Sequence, residues 1–536
     1  MKTTIPVACT FFKSPRQAVL LSSALVTLLL APMAVLHAAE LRLASILADH
    51  MVLQRDKPVA VWGWADPGET VTVSLAGQSK SAAADVGGKW SLTLDALTAS
   101  AEPGTLSVAG KNGRRVEVKD VLVGEVWLGS GQSNMEMSVK AANHFEAEQA
   151  AANLPLIRYY SDTNGTAASP QAEGKGAWQV CSPATVGRFS ATLYFFGREI
   201  HREVGVPVGL INSSVGATQI EYWIPAEAQN TDLETKANYD TLMRGYTSFD
   251  EARFAAIYED QLVAWNLAVE KAKADNHAPP ARPLDVLAIR RRKGAPAGLF
   301  NGKVFNLAPF TLRGILWYQG ESNSALPGPN QKHLYQRQLG ELVTSWRKLW
   351  DDELPFAWVQ LPSFTAAGEG WPRIREAMLK TLELPKTGMA ITIDIGDAKN
   401  IHPTNKQEVG RRLSLWALGT VYGKNVPAIS GPLPASSTIN GNAITVTFKH
   451  ADAGLKTKDG GPVKGFEIAG ADQRWKSAAV RLDGDKVTIS SPDIAAPVAM
   501  RYAWLDVPDC NLCNGADLPA SPFRTDDWPA VAAAKK

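Results

Sequence analysis

At 536 residues, 45% apolar and 20% charged, the chain has ordinary globular composition and length enough for several cores of ~100–200 residues each. Its 55 Lys and Arg stand against 53 Asp and Glu, so there is no basic excess to attract nucleic acid and no polybasic patch for a membrane surface. The expected partner is an uncharged or weakly charged molecule.

Lys2, Lys13 and Arg16 precede an apolar run from Ala18 to Leu36, and the small residues Ala38 and Ala39 stand just before Glu40. This is the layout of a secretory signal peptide over residues 1–39, which predicts a periplasmic or secreted protein with no membrane contact beyond the export signal. The run is close to the ~20 residues that span a bilayer, but Pro32 and the alanine pair favour cleavage over anchoring. Cleavage removes three cations and no anions, leaving 52 Lys and Arg against 53 Asp and Glu.

Residues 40–120 carry short apolar runs such as Val59–Trp64 and Thr70–Leu75, broken by turns like Asp66-Pro67-Gly68. They read as strands of an N-terminal β-sandwich-like domain. From Val121 the pattern changes. Val121–Leu128, Val208–Ile211, Gly314–Tyr318, Ala357–Leu361 and Met389–Ile393 read as buried parallel strands, and Ala191–Val204, His333–Trp350 and Lys406–Tyr422 as the helices between them. The alternation predicts an α/β core with a doubly wound parallel sheet, in two parts over residues 121–230 and 301–425. Between them, residues 231–300 form a mostly helical insertion that ends in the Pro- and Arg-rich Pro279–Arg292, and residues 426–536 form a C-terminal β-domain. Cys510 and Cys513 could form a disulfide in an exported protein or remain two free thiols. No metal site or cofactor is expected, because neither H-E-x-x-H nor a phosphate loop occurs.

The most informative segment is Gly124 to Met135, G-E-V-W-L-G-S-G-Q-S-N-M, in which an apolar strand runs into glycines and then a helix-prone stretch. It sets Ser133 at a strand-to-helix turn, where a hydroxyl faces the crevice at the sheet's C-terminal edge and the helix N-terminus favours an anion. The elbow G-x-S-x-G is absent, since Met135 stands where its last glycine would be.

Together with G-L-I-N-S-S-V-G-A-T-Q-I-E-Y-W at 209–223, W-Y-Q-G-E-S-N at 317–323, I-H-P-T-N-K-Q at 401–407 and P-F-R-T-D at 522–526, this segment resembles the ordered blocks of the SGNH hydrolase superfamily. Within it the chain is most similar to sialate O-acetylesterase-like carbohydrate acetylesterases, over roughly residues 40–528. The resemblance implies a three-layer core and a serine esterase that removes acetyl groups from a carbohydrate, either O-acetyl sialic acid or acetylated plant polysaccharide oligosaccharides; no arginine clamp for a sialic acid carboxylate is assignable from the sequence, which favours the neutral glycan. It implies Ser133 as nucleophile and His402 as general base, with an oxyanion hole formed by the amides of Ser133 and Gly216 and the side chain of Asn323. That set suits the chemistry. Uncharged N–H donors stabilise a tetrahedral oxyanion, and an imidazole titrating near pH ~6.5 can take a hydroxyl proton and return it to the leaving oxygen.

The pattern departs from the family at one point. Lys399 occupies the position, three residues before the histidine, where an Asp usually stands. Asp397, Asp394 or a backbone carbonyl is left to orient His402. Trp223, Tyr318, Gln319 and Glu321, which flank the blocks, are expected at the substrate site. Glu125, Glu221 and Glu321 also leave room for a glycosidase-type carboxylate pair. A reading of a different class is a non-catalytic carbohydrate-binding protein with the α/β core as scaffold.

Overall fold

A computed structural model describes residues 40–324, 331–366 and 370–529. The expected signal segment lies outside the described residues. Among the described residues no helix is long and apolar enough to cross a membrane.

The core strands in chain order are β1 (Arg115–Gly131), β2 (Ile157–Asp162), β3 (Gly176–Val180), β4 (Val208–Ser214), β5 (Gly314–Tyr318), β6 (Phe356–Val359) and β7 (Thr387–Ala390). They lie side by side in the order β3-β2-β4-β1-β5-β6-β7. All pairs are parallel except the β2–β3 edge. The chain winds outward from β1 on one side, returns, and continues on the other, so β1 sits where the winding reverses. Crevices at such points hold ligands in open α/β sheets.

Alternate strand residues feed two apolar layers. Trp127, Leu210, Leu316 and Ala357 pack with helices α2 (Ala191–Val204) and α9 (Lys406–Trp416). Val126, Leu128, Ile211, Ile315 and Trp317 pack toward α7 (Gln331–Trp350) and α8 (Gly370–Lys380), which contribute Leu339, Trp346 and Ile374. This alternation is the period-2 geometry of a strand buried on both faces. Helix α2 begins at Ser190, whose hydroxyl accepts from the Leu193 N–H, and ends at Gly205 in the left-handed region.

A three-stranded sheet over Arg42–Leu43, Val59–Trp64 and Lys89–Leu94 stands beside strands that join the central sheet through β1. Ser100–Ala109 pairs antiparallel with the first half of β1, and Val52–Gln54 pairs parallel with Leu122 to Gly124. The expected boundary at residue 120 therefore falls inside one continuous strand of 17 residues.

The insertion is helical, with α3 (Leu233–Thr247), α4 (Glu251–Ala274) and α5 (Val286–Lys293), each started by an aspartate whose carboxylate accepts backbone N–H groups: Asp232, Asp250 and Asp285. The Arg290 guanidinium lies over Tyr246 and Phe249, 3.9 and 4.3 Å from the ring centres, and ties α5 to α3. The C-terminal residues form two four-stranded antiparallel sheets around their own core of Ile444, Val446, Phe466, Ile468, Val487 and Phe523. Arg524, from the P-F-R-T-D motif, fastens that domain to α8 through Glu376 at 3.0 Å. Cys510 and Cys513 are free thiols.

Candidate active site

The crevice end of the sheet is closely packed. Gly131 pairs with both Ser214 and Tyr318, so β1, β4 and β5 end level. Gly131 has φ of 131°, and a Cβ there would lie 2.2 Å from the Tyr318 carbonyl oxygen, so only glycine fits. Gln132 then runs extended, its N–H donating to the Tyr318 carbonyl at 2.9 Å, and Ser133 opens the one-turn helix α1 (Ser133–Glu136). Ser133 is half-buried between the buried residues Gln132 and Asn134.

His402 approaches from the segment after β7, and its Nε2 lies 2.7 Å from Ser133 Oγ. Burial lowers the imidazole pKa below its ordinary value, the Lys406 cation adds to this, and the Glu136 carboxylate opposes it. A neutral imidazole at that distance can accept the hydroxyl proton.

Neither candidate aspartate is joined to His402. Asp394 binds Arg412 with both oxygens, at 2.6 and 2.9 Å, and Lys458 at 2.8 Å. Burial pushes its carboxyl up, but the bonds and charge of Arg412 and then Lys458 outweigh this and hold it below its ordinary value. Asp397 is exposed and accepts from the backbone N–H groups of Lys399 and Asn400. His402 itself donates its backbone N–H to Asn400 Oδ1 at 3.0 Å.

Gly216 lies just past β4, and a Cβ on it would sit 3.2 Å from Ser133 Cβ, so the glycine lets the backbone come up against the serine. Its N–H donates to Glu136 Oε2 at 2.7 Å, and its carbonyl accepts from Arg292 Nη2 at 3.0 Å. Asn323, in the short helix α6 (Glu321–Ser324), is buried. Its Oδ1 accepts from the Ile220 N–H and from Gln319 Nε2, and its Nδ2 donates to Glu221 Oε2 at 3.1 Å. One of the two Nδ2 hydrogens suffices for that bond.

Trp223, Tyr318, Gln319 and Glu321, expected against substrate, are buried instead. Trp223 packs edge-on to Trp317 and donates to Thr218 Oγ1, and Gln319 holds Thr218 and Asn323. Residues beside buried strands serve the core, which closes them to a sugar ring. The carboxylates have structural partners too. Glu125 is held by Arg55 and Arg313, and Glu221 by Asn238, Gln338 and Asn323.

The profile of the family described as carbohydrate esterase, sialic acid-specific acetylesterase, matches residues 123–258 and 300–417. A crystal structure of a carbohydrate acetylesterase from Xanthomonas citri is similar at 36% identity and a TM-score of 0.76, covering 91% of this chain and 100% of that one. The chain belongs to this carbohydrate esterase family. The sialate O-acetylesterases of Mus musculus and Homo sapiens are 28% and 27% identical to it, each over 90% of this chain and over 94% and 92% of their own lengths. It is a carbohydrate O-acetylesterase, and Ser133, Gly216, Asn323 and His402 all fall in the segments that the family profile matches.

Four further residues packed around Ser133, Gly216 and His402 are not among the candidates named from the sequence. Glu136 and Arg292 bracket Gly216, with Arg292 Nη2 3.5 Å from the Glu136 carboxylate. Asn134 and Lys406 lie beneath Ser133 and His402 and bond to each other at 2.7 Å. Asn134 and Lys406 stand inside quoted motifs, next to Ser133 and four residues after His402, and this adjacency was the available signal. Arg292 comes from the insertion and lies outside the segments that the profile matches, so nothing near the motifs announces it.

Proposed function

We propose that the protein hydrolyses acetyl esters of a carbohydrate through an acetyl-Ser133 intermediate. The observation that carries this reading is the 2.7 Å contact between His402 Nε2 and Ser133 Oγ at the C-terminal end of β1. Ser133 Oγ attacks the acetyl carbonyl while its proton passes to His402, and the resulting oxyanion is received by the N–H groups of Ser133 and Gly216 and the free hydrogen of Asn323 Nδ2. The imidazolium returns the proton to the departing sugar oxygen. Water then attacks the acetyl-enzyme with His402 again as base, releasing acetate and restoring the hydroxyl. Because Glu136 accepts from the Gly216 N–H, the substrate carbonyl must displace that carboxylate before the hole is complete.

Arg292 bears on the substrate. Its guanidinium is half-exposed and lies over the Gly216 carbonyl next to the nucleophile, within reach of a substrate carboxylate. This supports an acidic sugar such as O-acetyl sialic acid over a neutral acetylated plant polysaccharide. Acetate release from a panel of both kinds tests the whole reading. Hydrolysis of acetylated sialic acid that Arg292→Ala impairs selectively is the expected result. Binding of acetylated glycans without any acetate release by the folded protein would instead favour a carbohydrate-binding module. Export before action is part of the proposal and rests on the composition of residues 1–39.

A further inference from the structure

Beneath the Ser133–His402 pair lies a buried polar cluster that the chemistry above does not use. Asn134 follows the nucleophile directly and is fully buried. Its Nδ2 donates to Glu321 Oε1 at 2.6 Å and to the carbonyl of Ile401 at 2.9 Å, while its Oδ1 accepts from Lys406 Nζ at 2.7 Å. Lys406, fully buried at the start of α9, also donates to the carbonyl of Pro403 at 2.7 Å. The two carbonyls that flank His402 are thus both held by a cluster rooted in the residue next to Ser133. Glu321 Oε2 is buried and has no hydrogen-bond partner.

Such a cluster is costly. A buried ammonium and a buried carboxylate each lose hydration, and here an amide bridges them in place of direct contact. An apolar filling of the same volume is often as stable or more so, so retention of the charges points to a task other than stability. The task is visible in the connections: they fix the His402 segment against α1 from both sides, where the usual aspartate is missing.

We propose that Asn134, Glu321 and Lys406 are positioning residues that hold His402 on Ser133, taking over the orienting role of a triad carboxylate. The proposal rests on the serine mechanism above. Asn134 is the link, Lys406 supplies charge-assisted donors, and Glu321 fixes the amide's orientation by accepting its N–H. The charged groups that act on His402 are Lys406 from α9 and Glu136 from α1. Those around Lys406 are Glu321 from α6 and the Tyr318 ring from β5, 5.4 Å away. Burial lowers Lys406 to about 7, with Glu321 opposing.

The test is Lys406→Met in the full-length protein, with folding checked by circular dichroism. The expected loss in kcat is roughly 10–100-fold with KM nearly unchanged, the range for outer partners that orient a catalytic histidine elsewhere. Because the Lys406 cation depresses the imidazole pKa, its removal must also move the acid limb of kcat/KM to higher pH, which a merely structural residue would not do. Should the single variant fail to fold, Lys406→Met/Glu321→Gln removes both buried charges together and is read in the same way. A folded variant with kcat within twofold of the parent and an unmoved acid limb overturns the brace, while loss of activity in Ser133→Ala keeps the serine reading intact. Activity retained by Ser133→Ala overturns both.

Discussion

Asp394 is a candidate partner for His402 whose structural surroundings make it something else, and Asp394→Asn separates the two roles. The carboxylate receives two bonds from Arg412 and one from Lys458, with side-chain exposure of 12% at Asp394 and 5% at Arg412. Removing one charge of a buried pair costs about 3–5 kcal/mol. Arg412 keeps Glu408 at 2.7 Å and Lys458 is half-exposed, so the expected loss of stability is nearer about 2–3 kcal/mol. Turnover should stay within about tenfold, or ~1.4 kcal/mol in the barrier. The pH dependence carries a sign. A carboxyl held below its ordinary value of ~3.9 stabilises the fold fully above that pH, and the stabilisation is lost as pH falls through the depressed value. The Asn variant lacks this term, so its stability should fall less steeply below about pH 4. Denaturant melts from pH 2.5 to 7 together with acetate-release kinetics measure both quantities. A kcat loss beyond a hundredfold with unchanged stability would refute the structural role and return Asp394 to His402.

Asp397→Asn removes an exposed acceptor of two backbone N–H groups and should leave kcat within tenfold, as measured by the same acetate assay. Ser133→Ala should abolish activity with an unchanged circular dichroism spectrum, and activity within tenfold of the parent contradicts the mechanism. For Asn323→Ala a kcat loss of roughly 10²–10³ is expected from the missing oxyanion donor. Some loss of stability should accompany it in melting experiments, since the Ile220 N–H loses its acceptor and Gln319 and Glu221 each lose one of several partners. Glu136→Ala removes the anion that favours the imidazolium, so the acid limb of kcat/KM should move to lower pH; a shift upward contradicts the electrostatics.

The parts of the fold that sequence reveals are those whose burial is uniform. Gly314–Tyr318 and Ala191–Val204 match the expected bounds because an all-apolar run and a capped 3.6-residue period admit few other readings. Strand β1 defeats the same logic. Its first half alternates exposed and buried residues as an antiparallel strand does, its second half is buried throughout, and composition alone makes the change look like a domain boundary. At the site, Ser133 and His402 are legible through the resemblance of their motifs to the family's ordered blocks, and Ser133 also through its place at a strand-to-helix turn. Lys406 is not, because a lysine in the first turn of a helix ordinarily faces water, and only the tertiary packing of α1, α6 and α9 buries it. Trp223 and Tyr318 mislead for the opposite reason, since aromatic residues look the same in a motif whether they face a sugar or the core.

The continuity of β1 governs how the molecule comes apart. Between Arg115 and Gly124 this strand is clamped by N-terminal partners, and seven residues beyond Gly124 it ends, two residues before Ser133. A strand cannot melt at one end of a ladder without loosening the pairs beside it, so the N-terminal sheet and the serine turn belong to one cooperative unit. The N-terminal sheet is therefore no removable appendage: cutting the chain near residue 120 strips Val121 to Gly124 of their partners and exposes an unpaired edge. The helical insertion meets this region through a side chain, Arg292 on the Gly216 carbonyl, whereas the N-terminal sheet is joined to it through the backbone of β1.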